Sequence, residues 1–356
     1  MSNDLFKQYV FSGSHQEVGR QHGEALRMQI REHLELCYDL AFKNSKIQKS
    51  QAVEIADKFK PYINKYAPGF LDELEGIREG AGITLQEALL LQVRQEVVNM
   101  ANYASPNFEC TTFAITDKYT SNGKVYAGQN ADLTGNLEDI SNVVNFAVAG
   151  KPQVLMVVPA GQISYIGMNS EGMSGNGNFL YCTGWKKGFP RYLMTRFALE
   201  QRSLNEACKV LESIDERASS RNVLIADYKG QIADFEFTAT DYGRIYPEGY
   251  FVHSNHFLSP EMEKYEIGNK EQLHNSICRF KRLSGFIEQN EGSIDNTAIK
   301  SFLSDHTDNE DSLCVHPVKE REYHTFASVI SNLSDRVMEV SKGNPCCNPY
   351  GVYKFE

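Results

Sequence analysis

The chain has 356 residues, 41% of them hydrophobic and 23% charged, the balance of a folded protein with a sizeable core. A net charge of −10 argues against a nucleic-acid or anionic-membrane surface, and no apolar run approaches the roughly 20 residues of a membrane span. The N-terminal Met1-Ser2-Asn3-Asp4-Leu5-Phe6-Lys7 lacks the apolar core of a signal peptide, and eight cysteines without regular pairing read as reduced thiols, so a cytoplasmic protein is expected.

Residues 1 to 103 read as mostly helical. Ser14-His15-Gln16-Glu17 is a capping box, after which Leu26, Ile30, Leu34, Cys37 and Ala41 recur at helical spacing. Thr84-Leu85-Gln86-Glu87 is a second box, opening a helix through Leu91, Val97 and Val98. The character changes at Cys110. Residues 111–116 are β-branched and aromatic, Asn122-Gly123 signals a turn, and 125–130 forms a second strand. That hairpin brings Cys110 opposite the neighbourhood of Asp132. Further strands are predicted at 143–148, 154–158, 163–168 and 173–176, then helices at 190–201 and 203–214. Strands at 222–227, 232–237 and 250–255 precede helices near 270–289 and 295–304, and strands at 326–331, 336–341 and 352–355 close the chain. The order predicts an α+β protein with two antiparallel sheets covered by helices.

A thiol at the mouth of a strand beside a carboxylate suits a nucleophile, although a free cysteine is also a common buried hydrophobe. Asp132 equally suits a turn cap, Asn255 a helix cap, Thr112 a strand residue, and Asn176 a loop built on Gly175-Asn176-Gly177-Asn178. His253 and His256 have metal-like spacing without carboxylate or Cys ligands in a recognisable pattern. Cys346-Cys347 is too close for ordinary chelation by itself, and no His follows it. The glycines at 172, 175 and 177 do not open a helix after a strand in dinucleotide-binding fashion.

Taken together, Cys110-Thr111-Thr112, Asn130-Ala131-Asp132 and Val252-His253-Ser254-Asn255-His256 resemble the acyl-coenzyme A:isopenicillin N (6-aminopenicillanic acid) acyltransferase family. These are N-terminal nucleophile (Ntn) hydrolases, related more distantly to penicillin V acylase and choloylglycine hydrolase. The resemblance begins at Gly13-Ser14-His15-Gln16-Glu17-Val18-Gly19, continues through Gly167-Met168-Asn169-Ser170-Glu171-Gly172, and reaches Gly343-Asn344-Pro345. Order and spacing carry it.

The resemblance implies a four-layer αββα sandwich and a precursor that cuts itself between Glu109 and Cys110. Residues 1–109 would then form a helical α chain and 110–356 the catalytic β chain, together one Ntn unit. It also implies that the freed α-amine of Cys110 is the general base and that Asp132 orients it. Asn255 would offer its side-chain amide to the oxyanion, the Asn176 region a second donor, and Thr112 a hydrogen bond near the thiol. No metal and no bound cofactor are implied, with acyl-coenzyme A possible as a co-substrate. The expected substrate is a small N-acyl amine or acyl thioester. Two other readings stay open: a zinc-dependent hydrolase using His253 and His256, and a catalytically silent ligand-binding relative.

Overall fold

The structure is a computed structural model describing residues 5–101, 110–134, 137–307, 311–317 and 323–356. Glu109, and with it the expected cleavage bond, lies outside the described residues.

The N-terminal part is helical, as its capping boxes predict. Helices α1 (His15–Ala25), α2 (Arg27–Ser45), α3 (Lys49–Asp57), α4 (Lys60–Tyr66), α5 (Pro68–Ala81) and α6 (Leu85–Ala101) follow one another. Ser14 caps α1 in a complete box with Glu17. The carboxylate of Glu87 reaches back to the Thr84 backbone N–H at 2.7 Å. Helices α1 and α5 pack backbone to backbone. A Cβ on Gly19 would sit 1.9 Å from the Glu73 carbonyl, and one on Gly76 2.1 Å from the Gln16 carbonyl. Only glycine admits that approach.

Two sheets make the centre. The larger contains β1 (Gln8–Gly13), β4 (Ser141–Val148), β5 (Val154–Pro159), β6 (Ile166–Asn169), β7 (Met173–Asn176), β8 (Arg221–Asp227), β9 (Ile232–Phe237) and β10 (Tyr242–Ile245), in that spatial order. The smaller runs β11 (Tyr250–His253), β2 (Thr111–Ile115), β3 (Tyr126–Thr134), β12 (Tyr323–Asn332), β13 (Val337–Lys342) and β14 (Tyr350–Lys354). β8 and β9 are buried along their whole length, which is why 223–226 is a continuous apolar run.

The sheets meet through β2 against β8, β3 against β7 and β12 against β6. Helices α8 (Arg191–Leu199) and α9 (Leu204–Glu212) cover the outer face of the larger sheet, alongside the N-terminal lobe. Leu283 and Ile287 of α10 (Lys270–Gln289), and Ile299 and Phe302 of α11 (Asn296–Leu303), pack on Phe113, Ile115 and Val252 of the smaller one. Helix, sheet, sheet, helix is the αββα order the resemblance implies. A short α7 (Leu137–Ile140) precedes β4.

Three expectations need correction. The sheets are not purely antiparallel, because β1 pairs with β4 in parallel. Neither β1 nor β10 was legible in the pattern. Both are edge strands whose half-exposed faces carry no clean alternation. The strand expected at 250–255 ends at His253, and β2 starts one residue after Cys110.

Candidate active site

Cys110 stands at the entrance of β2, an inner strand of the smaller sheet between β11 and β3. Side chains alternate along a strand, so Cys110 and Thr112 face the space between the sheets while Thr111 faces α10. Thr111 Oγ1 accepts from Arg279 of α10 at 2.7 Å, and Thr112 Oγ1 accepts from Asn178, beyond β7, at 3.0 Å. Pairing of Thr111 with Asn130 sets Cys110 level with Ala131, one residue from Asp132. The hairpin prediction holds to that residue.

The backbone of Cys110 is gripped from both sides. Its N–H donates to Asn255 Oδ1 at 3.0 Å, and its carbonyl accepts from Arg279 Nη1 at 2.7 Å. Arg279 Nη2 donates to the same Asn255 Oδ1 at 2.8 Å, while Nε donates to Asn275 at 2.8 Å. The orientation of the Asn255 amide follows from these partners. Two N–H donors meet one end, and the other end donates to the Phe179 carbonyl at 2.9 Å. The oxygen must therefore face Cys110. Asn255 lies where the resemblance puts it, but in this chain its N–H is engaged elsewhere and it presents an acceptor.

Cys110 Sγ is 3.9 Å from the Asp132 carbonyl. Burial, and then the negative charge of Asp132, push its pKa up to about 11, so the intact chain holds a thiol. The Asp132 carboxylate is buried and accepts from Thr325 Oγ1 at 2.5 Å. Thr112 does not reach the thiol; its hydroxyl bonds to Asn178 and the His253 carbonyl. Asn176 is buried with no hydrogen-bond partner for its side chain among the described residues, and Asn178, two residues on, is the one that reaches the nucleophile's cavity.

That cavity, about 20 Å³, has room for a water. Cys110 and Asn178 line it with Tyr165, Tyr192, Arg191 and Arg221. Among the described residues, Nε and Nη2 of Arg221 and Nε of Arg191 have no hydrogen-bond partner, although both arginines are buried. Aromatic rings surround them instead. The Arg191 guanidinium lies 5.1 Å from Phe179, 5.0 Å from Trp185 and 4.9 Å from Tyr192.

Residues 119–346 match the acyl-coenzyme A:6-aminopenicillanic acid acyl-transferase family. The chain belongs to this family. It is 26% identical over 249 residues to the acyl-coenzyme A:6-aminopenicillanic-acid-acyltransferase 40 kDa form of Emericella nidulans, covering 69% of this chain and 68% of that protein. Among solved structures it is similar to a mutant of conjugated bile acid hydrolase from Clostridium perfringens (TM-score 0.45, 15% identity, 69% of this chain and 97% of that one). It is likewise similar to penicillin V acylase from Agrobacterium tumefaciens (TM-score 0.46, 13% identity, 68% and 84%). As a member of this acyl-transferase family, the chain is an enzyme. No helix among the described residues is long and apolar enough to cross a membrane.

The two histidines of the zinc reading turn to different partners. His253 Nε2 lies 2.8 Å from Glu236, and the adjacent Asp234 and Glu236 outweigh burial to raise its pKa to about 9. Glu236 also accepts the backbone N–H groups of Leu258 and Ser259, at 2.5 and 2.9 Å. His256 faces Ser276 at 2.8 Å, and burial holds its pKa down to about 4. Asp234, Glu236 and His253 do offer ligand atoms within 4.8 Å of one another, but His256 is not in that group.

Sequence reasoning missed Arg279, Arg191 and Arg221. One signal was available for Arg279. Positions 275, 276, 279, 283 and 287 form the buried stripe of α10, so this arginine stands where the spacing calls for an apolar residue.

Proposed function

We propose that the chain is a cysteine Ntn enzyme that cuts itself between Glu109 and Cys110 and then acts on a small N-acyl amine through a Cys110 thioester. In the cut, Sγ attacks the Glu109 carbonyl, the C–N bond breaks, and the Cys110 nitrogen takes the thiol proton. Water then hydrolyses the thioester, leaving the Glu109 carboxylate and a free thiol. In turnover the new α-amine, with a pKa of about 7.7–8.0 before perturbation, takes the Sγ proton. Sγ attacks the substrate carbonyl, the leaving amine carries the proton away, and water or an acceptor amine resolves the thioester. Acyl-coenzyme A is one candidate acyl donor, and no bound cofactor enters these steps.

The observation that carries this reading is the double grip on the Cys110 backbone by Asn255 and Arg279. Any buried N–H and carbonyl need partners, but here both are side chains, a polar asparagine and a buried arginine, rather than the neighbouring strand. A nucleophile whose own amine is the base needs both held. The buried guanidinium groups of Arg191 and Arg221, with donors left over among the described residues, support a substrate that carries a carboxylate, since desolvated cations gain most from an anion supplied on binding.

Both segments would stay together after cleavage. Arg196 forks onto Glu73 at 2.6 and 2.8 Å with both side chains fully buried, β1 pairs with β4, and one apolar core contains residues of both. The eight unbridged cysteines support a reducing, cytoplasmic setting.

Intact mass of the purified protein tests the cut, and Cys110→Ala tests its agent. Two chains meeting at 109/110, with a single uncut and inactive Cys110→Ala chain, are expected. A Cys110→Ala protein that is still cut there overturns the autocatalytic reading. For the activity, N-acyl amino acids, penicillins and acyl-coenzyme A donors are offered to the cleaved protein, with release of the amine or thiol as the readout.

A further inference from the structure

Several ligand-bearing side chains converge at the rim of the smaller sheet, away from the run around Cys110. Segment 311–317 lies beside β12, where Val315 exchanges bonds with Thr325: the Thr325 N–H donates to the Val315 carbonyl at 3.0 Å, and the Val315 N–H to Thr325 Oγ1 at 2.9 Å. Strand-like alternation sends Cys314 and His316 to the same side of this segment. The connection from β13 to β14 brings Cys346 against them. Cys314 Sγ is 3.5 Å from Cys346 Sγ, and His316 Nε2 is 3.7 Å from the first and 3.1 Å from the second.

Those edges have a physical meaning. A tetrahedral zinc ion with Zn–S of about 2.3 Å and Zn–N of about 2.0–2.1 Å spaces its ligand atoms roughly 3.3–3.8 Å apart. A disulfide would need the sulfurs at about 2.05 Å. His306 stands at the open side, within reach of His316 and Cys346 but farther from Cys314, so it must close in to serve as a fourth donor. One nitrogen each of His306 and His316, and the Cys346 sulfur, all lie within 4.8 Å of one another. His306 Nδ1 is 3.0 Å from the Ser304 carbonyl, which fixes the tautomer that leaves Nε2 with its lone pair. Asn344 donates to the Val315 carbonyl at 2.6 Å and to Cys314 Sγ at 3.4 Å, tying the two segments together behind the ligands. No His follows Cys346-Cys347 in the chain, as the sequence shows, but His316 comes to 3.1 Å from Cys346. The partner precedes it in the chain and arrives through the β12–β13 hairpin.

We propose that Cys314, Cys346, His316 and His306 bind one zinc ion as a Cys2His2 site. Binding replaces the two thiol protons, which pass to solvent. With His306 drawn in as the fourth protein ligand the site is closed to substrate, so the ion clamps His306 and residues 311–317 onto the turn before β14. The clamp bears on the nucleophile's surroundings through one link: Val315 holds Thr325, and Thr325 donates to Asp132.

The full chain, reduced, stripped with a chelator and reloaded, provides the test. Native mass spectrometry with zinc should find one ion per chain. Mapped alkylation should find Cys314 and Cys346 protected by zinc while Cys347 stays reactive. Cadmium should give a near-ultraviolet thiolate charge-transfer band, which the Asp234, Glu236 and His253 group cannot produce. Cys314→Ser combined with Cys346→Ser should abolish binding, and Cys347→Ser should leave it intact. Because the double variant could misfold, His306→Gln is a second arm, expected to weaken zinc retention at least tenfold in competition with a chelator. A reduced wild-type chain that binds no stoichiometric zinc, or that binds it with both cysteines still reactive, overturns the proposal. So does a chain whose Cys314 and Cys346 are joined in a disulfide and take up no metal after reduction.

Discussion

Asn255 turns its amide oxygen, not its nitrogen, toward the backbone N–H of Cys110, at 3.0 Å. The same oxygen accepts from Arg279 at 2.8 Å. An N–H of an uncut peptide and an N–H of a free α-amine are both donors. Cleavage at this position would therefore leave the bond to Asn255 in place and deliver the amine already aimed. On the proposed mechanism Asn255 would act on the base rather than on the oxyanion.

Asn255→Ala should therefore slow maturation as well as turnover. Removing the side chain leaves the Cys110 N–H and one Arg279 N–H buried without an acceptor, each worth about 1–3 kcal/mol. Loss of roughly 10²-fold in the rate of two-chain formation is expected, with a similar fall in kcat for whatever is cleaved. Time-resolved intact mass, on protein whose circular dichroism matches the wild type, checks it. Normal maturation would remove Asn255 from this role.

Arg279→Lys should fail although the charge is kept. The guanidinium serves Cys110, Thr111, Asn255 and Asn275 from three nitrogens in one plane, and an ammonium cannot reproduce that fork. A fall in kcat of about 10²-fold or more is expected, with a smaller change in KM, since the contact is to the nucleophile's backbone and not to substrate. Stopped maturation in a folded Arg279→Lys chain would say the same. Wild-type kinetics would assign Arg279 to packing alone.

What could be read in advance follows a physical line. Local chemistry was legible: the Ser14–Glu17 box, and the Asn122-Gly123 turn, in which Gly123 takes φ +65°. So was the two-sheet order, because buried strands such as β8 advertise themselves as apolar runs. Edges were not. β1 has one neighbour, and its parallel pairing with β4 joins residues more than 130 positions apart. Nor were the functional arginines. Arg279 on its buried stripe, and Arg191 and Arg221 wrapped in aromatic rings, are charges in apolar company, and single-residue patterns discount them. The orientation of the Asn255 amide depends on three partners from separate elements, so no spacing in the chain encodes it.

Arg221→Gln separates substrate recognition from chemistry. Arg221 lines the Cys110 cavity, and its Nε and Nη2 have no hydrogen-bond partner among the described residues. If it takes a substrate carboxylate, the variant should raise KM for N-acyl amino acids tenfold or more, an ion-assisted bond being worth about 1.5–3 kcal/mol. Neutral N-acyl amines should be nearly indifferent. Equal losses for both substrate sets would give Arg221 a structural or transition-state role in place of carboxylate recognition.

The final prediction concerns pH and tests the amine itself. If the Cys110 α-amine is the base, activity should rise with pH as that amine loses its proton. A nearby carboxylate stabilises the ammonium form and raises its pKa. Asp132 already acts in that sense on the Cys110 thiol, whose pKa its charge helps to push up. Asp132→Asn removes the charge and keeps the shape, so both pKa values should fall. The rising limb of the kcat/KM profile should then move to lower pH by on the order of one unit. On the reading in which Asp132 orients the amine, the plateau should drop as well. Thr325 can still donate to the remaining amide oxygen, which keeps β3 and β12 joined and guards against a folding artefact. The comparison uses protein shown by mass to be fully cleaved. An Asp132→Asn enzyme with an unmoved limb and an undiminished plateau would confine this carboxylate to a structural part.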